Sequence, residues 1–487
     1  MNFNSAAFLI FLPVVVLVYW VLPGKVRKFW LLAASYFFYA WWNPLLLLLI
    51  LASTAIDYCC SRGMEKFDDR PKLRKVLLLV SIFMNLGLLF FFKYWDFFAR
   101  SASSLFGLIG LKWTAPQLNL ILPVGISFYT FQTMSYSIDV YRRKISAEHD
   151  PISFALYVTF FPQLVAGPIE NARDLLPQLK KVHTFSRDDF IAGLRLLLSG
   201  FFRKCAVADL CGRYVAKVFQ NPGEANGFAI FVGGALFCFQ MYCDFAGYSE
   251  IAAGSARLMG VRLMKNFDQP YISQSYGEFF RRWHISLNRW FTQYLYIPLG
   301  GNRKGPARRV INTLIVFALC GLWHGANWTY VLWGLYAAFF VCMESVLAKP
   351  AGTLAAKWKI PLENPFVKFF RRCYMFLIFV PAAILFRADS VSQLGVLFPR
   401  LFTAGFGIPE GLSFLGIGSF EICQIALALI AMALLPRFAE YDLPAAKNDT
   451  AKARRLCYAV CLLVVIALSW LALLATEDIA GFAYFQF

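Results

Sequence analysis

A histidine inside a long apolar stretch is the first candidate for chemistry in this sequence. His324 lies in the segment Leu319–Tyr330, between the apolar runs Val310–Leu319 and Val331–Phe340. An ionisable side chain in such surroundings is expected to face a cavity or a polar partner, because contact with hydrocarbon is costly. Apolar surroundings also favour the neutral imidazole that a general base needs. His324 is therefore a candidate general base; a histidine that only joins two helices by hydrogen bonds is the structural alternative.

Two residues close to His324 in the sequence are candidates for supporting roles. Asn327 follows three residues later, which predicts that both side chains share one helix face. There the amide would orient the imidazole or stabilise a developing oxyanion. Trp323 directly precedes His324 and is included as a second supporting residue.

A second histidine lies in a basic and aromatic segment. His284 belongs to Phe279–Leu287, which also contains Arg281. Such a segment is typical of an interfacial or re-entrant helix, so an interfacial anchor is one interpretation. The functional interpretation is that His284 and Arg281 form the polar wall of a path along which a donor substrate enters.

One carboxylate also lies inside an apolar run. Asp244 is expected to face a cavity or to pair with a cation, for which Arg281 and Arg282 are candidates. A structural ion pair and a catalytic role both remain open. Arg303 and Lys304 lie in a glycine-containing loop that lacks the spacing of a P-loop, although it is suited to the phosphates of a nucleotide-bearing donor.

Other chemistries find little support. The remaining two of the four histidines, His149 and His183, lie in loops and are interpreted as structural. The 12 cysteines lie mostly in apolar runs without metal-ligand spacing, so neither a metal site nor a disulfide framework is predicted. No serine nucleophile elbow and no dinucleotide-binding glycine pattern is present.

The elements that must position these residues are membrane helices. Of the 487 residues, 59% are hydrophobic and only 15% are charged, which is too apolar for a soluble protein. The net charge of +19 arises from clusters beside apolar runs, as expected from the positive-inside rule rather than from nucleic-acid binding. We predict an all-α polytopic integral membrane protein with about 11 transmembrane helices and one or two short re-entrant or interfacial helices.

The apolar runs divide the chain into three parts of a single membrane domain, residues 1–487. Residues 1–117 contain uninterrupted runs, among them Phe29–Ala52, which is predicted to be one helix. Residues 118–340 are interrupted by proline, glycine and polar residues, which are tolerated at membrane depth only next to protein or a water-filled cavity. These residues are therefore predicted to form the catalytic core, and residues 341–487 to form C-terminal helices with an aromatic tail.

Seven segments in this order resemble the membrane-bound O-acyltransferase family, in its bacterial alginate O-acetyltransferase-like branch. The segments are Pro123–Gln132, Phe160–Ile169, Tyr242–Ser249, Asn266–Tyr271, Phe279–Leu287, Tyr296–Arg303 and Gly321–Trp328. The resemblance implies a helical fold around a central funnel, with His324 as the catalytic histidine and His284 as a second characteristic histidine. It also implies a cytoplasmic acyl donor, here acetyl-CoA, and acceptors outside the cell.

The C-terminal segment Phe482–Phe487 is similar to a terminal pattern in related bacterial acylation systems. The resemblance implies that Tyr484 relays an acyl group; an aromatic tail that only anchors at the interface is the alternative.

The sequence thus predicts an O-acetyltransferase of the bacterial cytoplasmic (inner) membrane, acting on an exported polysaccharide or cell-wall glycan. Its expected partner is a periplasmic or extracellular acetyl-handling protein resembling SGNH hydrolases. D-alanyl transfer to teichoic acid is the enzymatic alternative. A transporter or flippase for a lipid-linked glycan is the alternative from another class, because it too would need broken helices and buried charge.

Overall fold

Helices account for all the regular structure that the computed structural model describes, which covers residues 1–434 except residue 360. In chain order α1 to α20 are Ala6–Val21, Arg27–Ala40, Pro44–Lys66, Pro71–Leu89, Trp95–Leu108, Ile126–Tyr141, Pro151–Thr159, Phe161–Leu164, Ala172–Lys180, Arg187–Phe201, Asp209–Gln220, Gly227–Leu258, Tyr276–Arg282, Ile285–Phe291, Pro306–His324, Trp328–Lys357, Pro365–Arg387, Val391–Thr403, Ile408–Leu415 and Ser419–Leu434. The π-helical segments are Phe90–Tyr94, Phe202–Ala208 and Thr292–Tyr296, and Pro270–Ile272 is a 3-10 turn. The prediction of an all-α fold is confirmed.

Several of these helices are long and apolar enough to cross a membrane. Within the described residues there are six, or seven if the bent pair α19 and α20 forms one span. The six are Pro44–Lys66, Pro71–Leu108, Gly227–Leu258, Pro306–His324, Trp328–Leu354 and Pro365–Arg387. The chain is therefore a multi-pass membrane protein, but the predicted number of about 11 spans is not confirmed.

The predicted single helix over Phe29–Ala52 is wrong. The structure has two helices there, α2 and α3, with a break before Pro44. The side chain of Asn43 accepts a hydrogen bond from the Leu45 amide, and Pro44 at the first helical position has no N–H to donate. An N-cap and a proline therefore start a new helix inside an apolar run.

The middle of the chain contains short helices, as its prolines and glycines predicted. The helices α7, α8, α13 and α14 have nine, four, seven and seven residues. None of them is long enough to cross a membrane, which takes about 17–25 residues. These short helices connect the longer ones. The turns between them hold polar side chains, including His284 between α13 and α14.

The chain forms two compact units. Residues 1–197 and 251–264 belong to the first unit, and residues 198–250 together with the described residues after 264 belong to the second. Both candidate histidines, His284 and His324, lie in the second unit. The division into 1–117, 118–340 and 341–487 remains a prediction.

The first unit contains a buried carboxylate that the sequence reasoning missed. Asp57 on α3 accepts a hydrogen bond of 2.5 Å from the Ser81 hydroxyl on α4. The Asn85 amide, also on α4, donates to both Asp57 oxygens at 3.0 and 2.9 Å. The Thr133 hydroxyl on α6 donates to Asn85 Oδ1 at 3.1 Å. This network joins three helices through polar groups that have no access to water, so each hydrogen bond replaces hydration.

In the second unit, close packing of α15 against α16 positions the end of α15. A Cβ added to Gly321 would overlap the backbone carbonyl of Tyr330, and one added to Gly334 would overlap that of Phe317. Small residues at such contacts let two membrane helices approach each other closely. Because Gly321 lies about one turn before His324, this contact fixes the position of His324 relative to α16.

Gly321→Ala is expected to lower the melting temperature of the purified protein in nanodiscs. The added methyl group must push α15 away from α16, and overpacking of this kind costs about 1–3 kcal/mol. Intrinsic tryptophan fluorescence during a thermal ramp measures the effect.

Gly87→Ala is the matched control for this substitution. Gly87 lies within α4, and a Cβ added there would meet no neighbouring atom within 4 Å. Alanine there is expected to be neutral or slightly stabilising, because glycine weakens a helix. Equal melting temperatures for the Gly321 and Gly87 variants would contradict the proposed close contact.

Candidate active site

His324 is the last residue of α15 and is buried, with 8% of its surface exposed. The Gly325 N–H makes the last helical hydrogen bond, to the Gly321 carbonyl, and the helix ends there because the Gly325 backbone is extended. Aromatic side chains surround the imidazole: the ring centroids of Trp333 and Phe386 lie 5.4 and 5.3 Å from it. Residues of α16 and α17 thus hold His324 in a predominantly apolar site.

His284 lies between α13 and α14 and is 2% exposed. Its backbone is left-handed, with φ of 44°, so the chain turns sharply at this residue. The ring packs edge-on against Phe245 of α12, with 4.7 Å between centroids, and Nδ1 lies 3.2 Å from Oδ1 of Asn266. His284 is therefore held on two sides by protein rather than exposed as an interfacial anchor.

The two histidines share one cavity. Their ring centroids are 6.4 Å apart, and both side chains line the same cavity. Most of the other lining is aromatic, namely Phe280, Trp283, Phe291, Phe317 and Trp333. A concave, mostly apolar pocket with a few convergent polar groups is the usual form of a small-molecule site. The structure thus brings together the two histidines that the sequence singled out 40 residues apart.

The surroundings decide the charge of His284. Burial, and secondarily a positive charge on neighbouring His324, lowers the pKa of His284 well below its usual range. His284 is therefore neutral at physiological pH and can take up a proton. Two imidazoles in one apolar cavity can perform general acid–base chemistry with little competition from water.

Trp323 contacts both histidines. It is 3% exposed, and its ring centroid lies 5.8 Å from that of His284 and 5.0 Å from that of His324. Trp323 therefore packs against both imidazoles, and its supporting role in catalysis stays a prediction.

The sequence reasoning missed two polar residues that line the cavity. Asn288 lies on α14, four residues after His284, and its amide donates to the Phe280 carbonyl at 2.6 Å. Cys320 lies on α15, four residues before His324. In both cases the helical spacing from a candidate histidine was the available signal.

The prediction that Asn327 shares a helix face with His324 is wrong. Helix α15 ends at His324, and Asn327 is the N-cap of α16. Its Oδ1 accepts from the Thr329 amide at 3.2 Å, and its Nδ2 donates to the Asp389 carbonyl at 2.7 Å. Glycine and a helix cap in Gly325–Asn327 break the periodicity on which the prediction depended, and the side chain serves a structural role.

Asp244 forms an ion pair, but with a cation that the sequence reasoning did not consider. Lys204 Nζ lies 3.0 Å from Asp244 Oδ1 and 2.7 Å from Asp209 Oδ1. The expected pairing with Arg281 or Arg282 is therefore wrong. Arg282 instead pairs with Asp268 and Glu278, each at 3.0 Å. The cation for Asp244 comes from the π-helical segment Phe202–Ala208, which sequence periodicity does not reveal.

The predicted basic residues lie outside the cavity lining. Arg281, Arg303 and Lys304 are exposed, and none of them is among the residues that line the cavity. The loop that carries Arg303 and Lys304 is fastened to α15 by Asn312, whose amide donates to the Gly301 carbonyl at 2.9 Å. Tyr484 lies outside the described residues.

The histidines interpreted as structural have partners away from the cavity. His149 Nε2 lies 2.8 Å from a carboxylate oxygen of Glu65, and His183 Nε2 lies 2.8 Å from the Gln178 carbonyl. Across the part of the chain that the structure covers, no group of three or more His, Cys, Asp or Glu side chains is arranged to hold a metal ion.

Comparisons with known proteins identify the family to which the chain belongs. The family model described as the membrane-bound O-acyltransferase family matches residues 140–385, which include both histidines. The chain is 34% identical to the probable alginate O-acetylase of Azotobacter vinelandii, over 89% of this chain and 84% of that protein. It is 35% identical to the peptidoglycan O-acetyltransferase of Helicobacter pylori, over 68% of each chain.

A more distant relative is the teichoic acid D-alanyltransferase of Bacillus subtilis. The identity is 28%, over 48% of this chain and 62% of that protein. The relatives named as O-acetylating enzymes are thus more similar and match more of the chain. From the family match, the extended similarity and the buried pair of histidines it follows that this chain belongs to the membrane-bound O-acyltransferase family and is an acyltransferase.

Proposed function

We propose that the protein transfers acetyl groups from cytoplasmic acetyl-CoA to an exported polysaccharide or cell-wall glycan, and that it works in the bacterial cytoplasmic membrane. The observation that carries the proposal is the pair of buried histidines, 6.4 Å apart in one apolar cavity. The names of the relatives support the acetyl group and an acceptor polymer outside the cytoplasm.

The proposed reaction uses His324 as the base. Its imidazole takes the proton of the accepting hydroxyl, and the oxygen then attacks the thioester carbonyl of the donor. The C–S bond breaks, the coenzyme A thiolate leaves, and the imidazolium returns its proton to that thiolate. His324 is neutral again after one transfer, and the apolar cavity keeps water from hydrolysing the thioester.

Basic side chains are proposed to receive the nucleotide end of the donor. Arg303 and Lys304 are exposed on the loop before α15, and Arg281 is exposed at the end of α13. Exposed cations suit the phosphates of acetyl-CoA, which remain hydrated outside an apolar cavity. In this proposal only the acetyl end enters the cavity.

A partner outside the membrane completes the proposal. We infer an acetyl-handling protein of the periplasm or cell exterior, similar to SGNH hydrolases, that delivers the acetyl group to the polymer. Much of the described chain consists of membrane-spanning and connecting helices, which offer little surface for a long glycan.

Replacing His324 by alanine is expected to abolish O-acetylation of the surface glycan. Loss of a general base typically lowers a rate by about 10²–10⁴-fold. The measurement is the acetate released from the glycan by mild alkali, from cells with equal amounts of the variant and the wild-type protein in the membrane.

His149→Ala is the matched control, because His149 is an exposed histidine paired with Glu65. Its acetate content is expected to equal that of the wild type. Undiminished acetate with His324→Ala, in a strain without a second such enzyme, would contradict the role of His324. A transporter would give that result, and ester-linked D-alanine lost in place of acetate would favour D-alanyl transfer.

Tyr484 is proposed to relay the acetyl group. Its phenol would accept the acetyl group as an ester and lose it to a hydroxyl of the partner, which restores the phenol. Tyr484→Phe keeps the aromatic ring and removes only the oxygen. It is expected to reduce glycan acetate as strongly as His324→Ala, measured in the same cells; full acetylation by this variant would rule out the relay.

A further inference from the structure

Asn266 connects His284 to two other elements of the second unit. Its Oδ1 lies 3.2 Å from His284 Nδ1, 3.2 Å from the Ser286 amide nitrogen and 2.9 Å from Ser286 Oγ. Its Nδ2 donates to Ser249 Oγ on α12 at 3.2 Å. Asn266 is 1% exposed, so these contacts take place without bulk water.

The contacts with Ser286 determine the orientation of the Asn266 amide. A backbone N–H is always a donor, so the side-chain atom of Asn266 that faces the Ser286 amide must be the oxygen. With the amide flipped, two N–H groups would face each other. The NH₂ group therefore faces Ser249, whose hydroxyl oxygen accepts.

The orientation of the amide in turn fixes the tautomer of His284. The Ser286 hydroxyl lies closer to Asn266 Oδ1, at 2.9 Å, than to His284 Nδ1, at 3.5 Å, so it donates to the amide oxygen. An amide oxygen only accepts hydrogen bonds, so Nδ1 of the ring carries the proton that it donates to Asn266. In a neutral imidazole the other nitrogen, Nε2, then carries the lone pair. His284 can consequently accept a proton or a hydrogen bond through Nε2, and cannot donate one from Nε2 while it is neutral.

The backbone of Asn266 also supports His284. The Ile285 N–H donates to the Asn266 carbonyl at 2.9 Å, and the Asp268 N–H donates to the Arg282 carbonyl at 2.9 Å. These two bonds flank the left-handed turn at His284, a conformation that is uncommon for a residue other than glycine. The segment that binds the ring thus also holds the backbone that carries it.

We propose that Asn266 is a positioning residue that holds His284 as the Nδ1–H tautomer, so that His284 meets the substrate as an acceptor through Nε2. This inference rests on the proposed function, in which His284 lines the reaction cavity. The fixed tautomer determines which role His284 can take in that cavity. A neutral His284 assists removal of the proton from the accepting hydroxyl, and stabilisation of the oxyanion must come from other donors.

The tautomer can be observed without any activity measurement. The chain has four histidines, so nitrogen-15 NMR of ¹⁵N-histidine-labelled protein in nanodiscs contains four pairs of ring-nitrogen signals, which single His→Gln variants assign. We expect the His284 signal of the wild-type protein to show a protonated Nδ1 and an unprotonated Nε2. A protonated Nε2 in neutral His284 would overturn the proposal, whether or not the protein is an acetyltransferase.

The effect of Asn266 on this signal and on turnover tests the positioning role. Asn266→Ala removes the acceptor, and we expect loss of the pure Nδ1–H signal together with a fall in acetyl transfer of roughly 10- to 100-fold. This is less than the ~10⁴-fold loss that a wrong imidazole tautomer causes in serine proteases, where a charged carboxylate is replaced. Asn266→Asp keeps an acceptor oxygen and is expected to restore the Nδ1–H signal and much of the transfer.

Asn221→Ala is the control, because Asn221 is an exposed asparagine at the end of α11. It is expected to leave the His284 signal and acetyl transfer unchanged. An altered tautomer with wild-type turnover in Asn266→Ala would overturn the positioning role. If the alanine variant does not fold, the wild-type spectrum and Asn266→Asp decide: an aspartate variant with Nδ1 protonated but no transfer also contradicts the proposal.

Discussion

The site depends on one constraint, namely that polar side chains buried in a membrane protein need partners from the protein itself. His284 satisfies this constraint through Asn266, which is in turn held by Ser249 and Ser286. The charged groups nearby in the same unit obey it as well. Lys204 is paired with Asp244 and Asp209, and the Arg203 guanidinium donates to Glu250 at 3.0 Å. Removing one partner of such a buried pair is strongly destabilising, because it leaves the other charge buried without a partner. These networks therefore favour the one arrangement of the helices in which every charge is paired.

The other buried histidine, His324, is positioned by the packing of two helices. The contact of Gly321 with the Tyr330 backbone brings α15 and α16 together just before α15 ends at His324. A helix end leaves backbone carbonyls without intrahelical partners, and here the Gly325 N–H satisfies that of Gly321. The result is a buried imidazole at the end of a membrane helix, among the rings of Trp323, Trp333 and Phe386.

The two histidines that line the cavity could be singled out from the sequence because an imidazole is conspicuous among apolar residues. The all-α membrane fold could be predicted because the composition is strongly apolar and the apolar runs are long enough for membrane helices. What could not be predicted were features that depend on how helices begin, end and bend. Asn327 became a helix cap because α15 ends at His324, and Phe29–Ala52 became two helices because Asn43 and Pro44 start a new one.

Ion-pair and hydrogen-bond partners that lie far apart in the sequence could not be predicted either. Lys204 reaches Asp244 from a π-helical segment, and Asn266 reaches His284 from a loop with no regular period. Asp57 was overlooked although it lies in an apolar run, and the partners that bury it come from α4 and α6. Periodicity identifies the face of a helix, but only the folded chain shows which other helix supplies the hydrogen bond.

The central claim is that His284 and His324 act together from one cavity. Its most direct test is acetyl transfer by membrane vesicles supplied with radiolabelled acetyl-CoA, for His284→Gln, His324→Gln and the double variant. We predict that each single substitution lowers the rate by about 10²-fold or more, and that the double variant is no slower than the slower single variant. Wild-type transfer by His324→Gln, or losses that multiply in the double variant, would contradict the account.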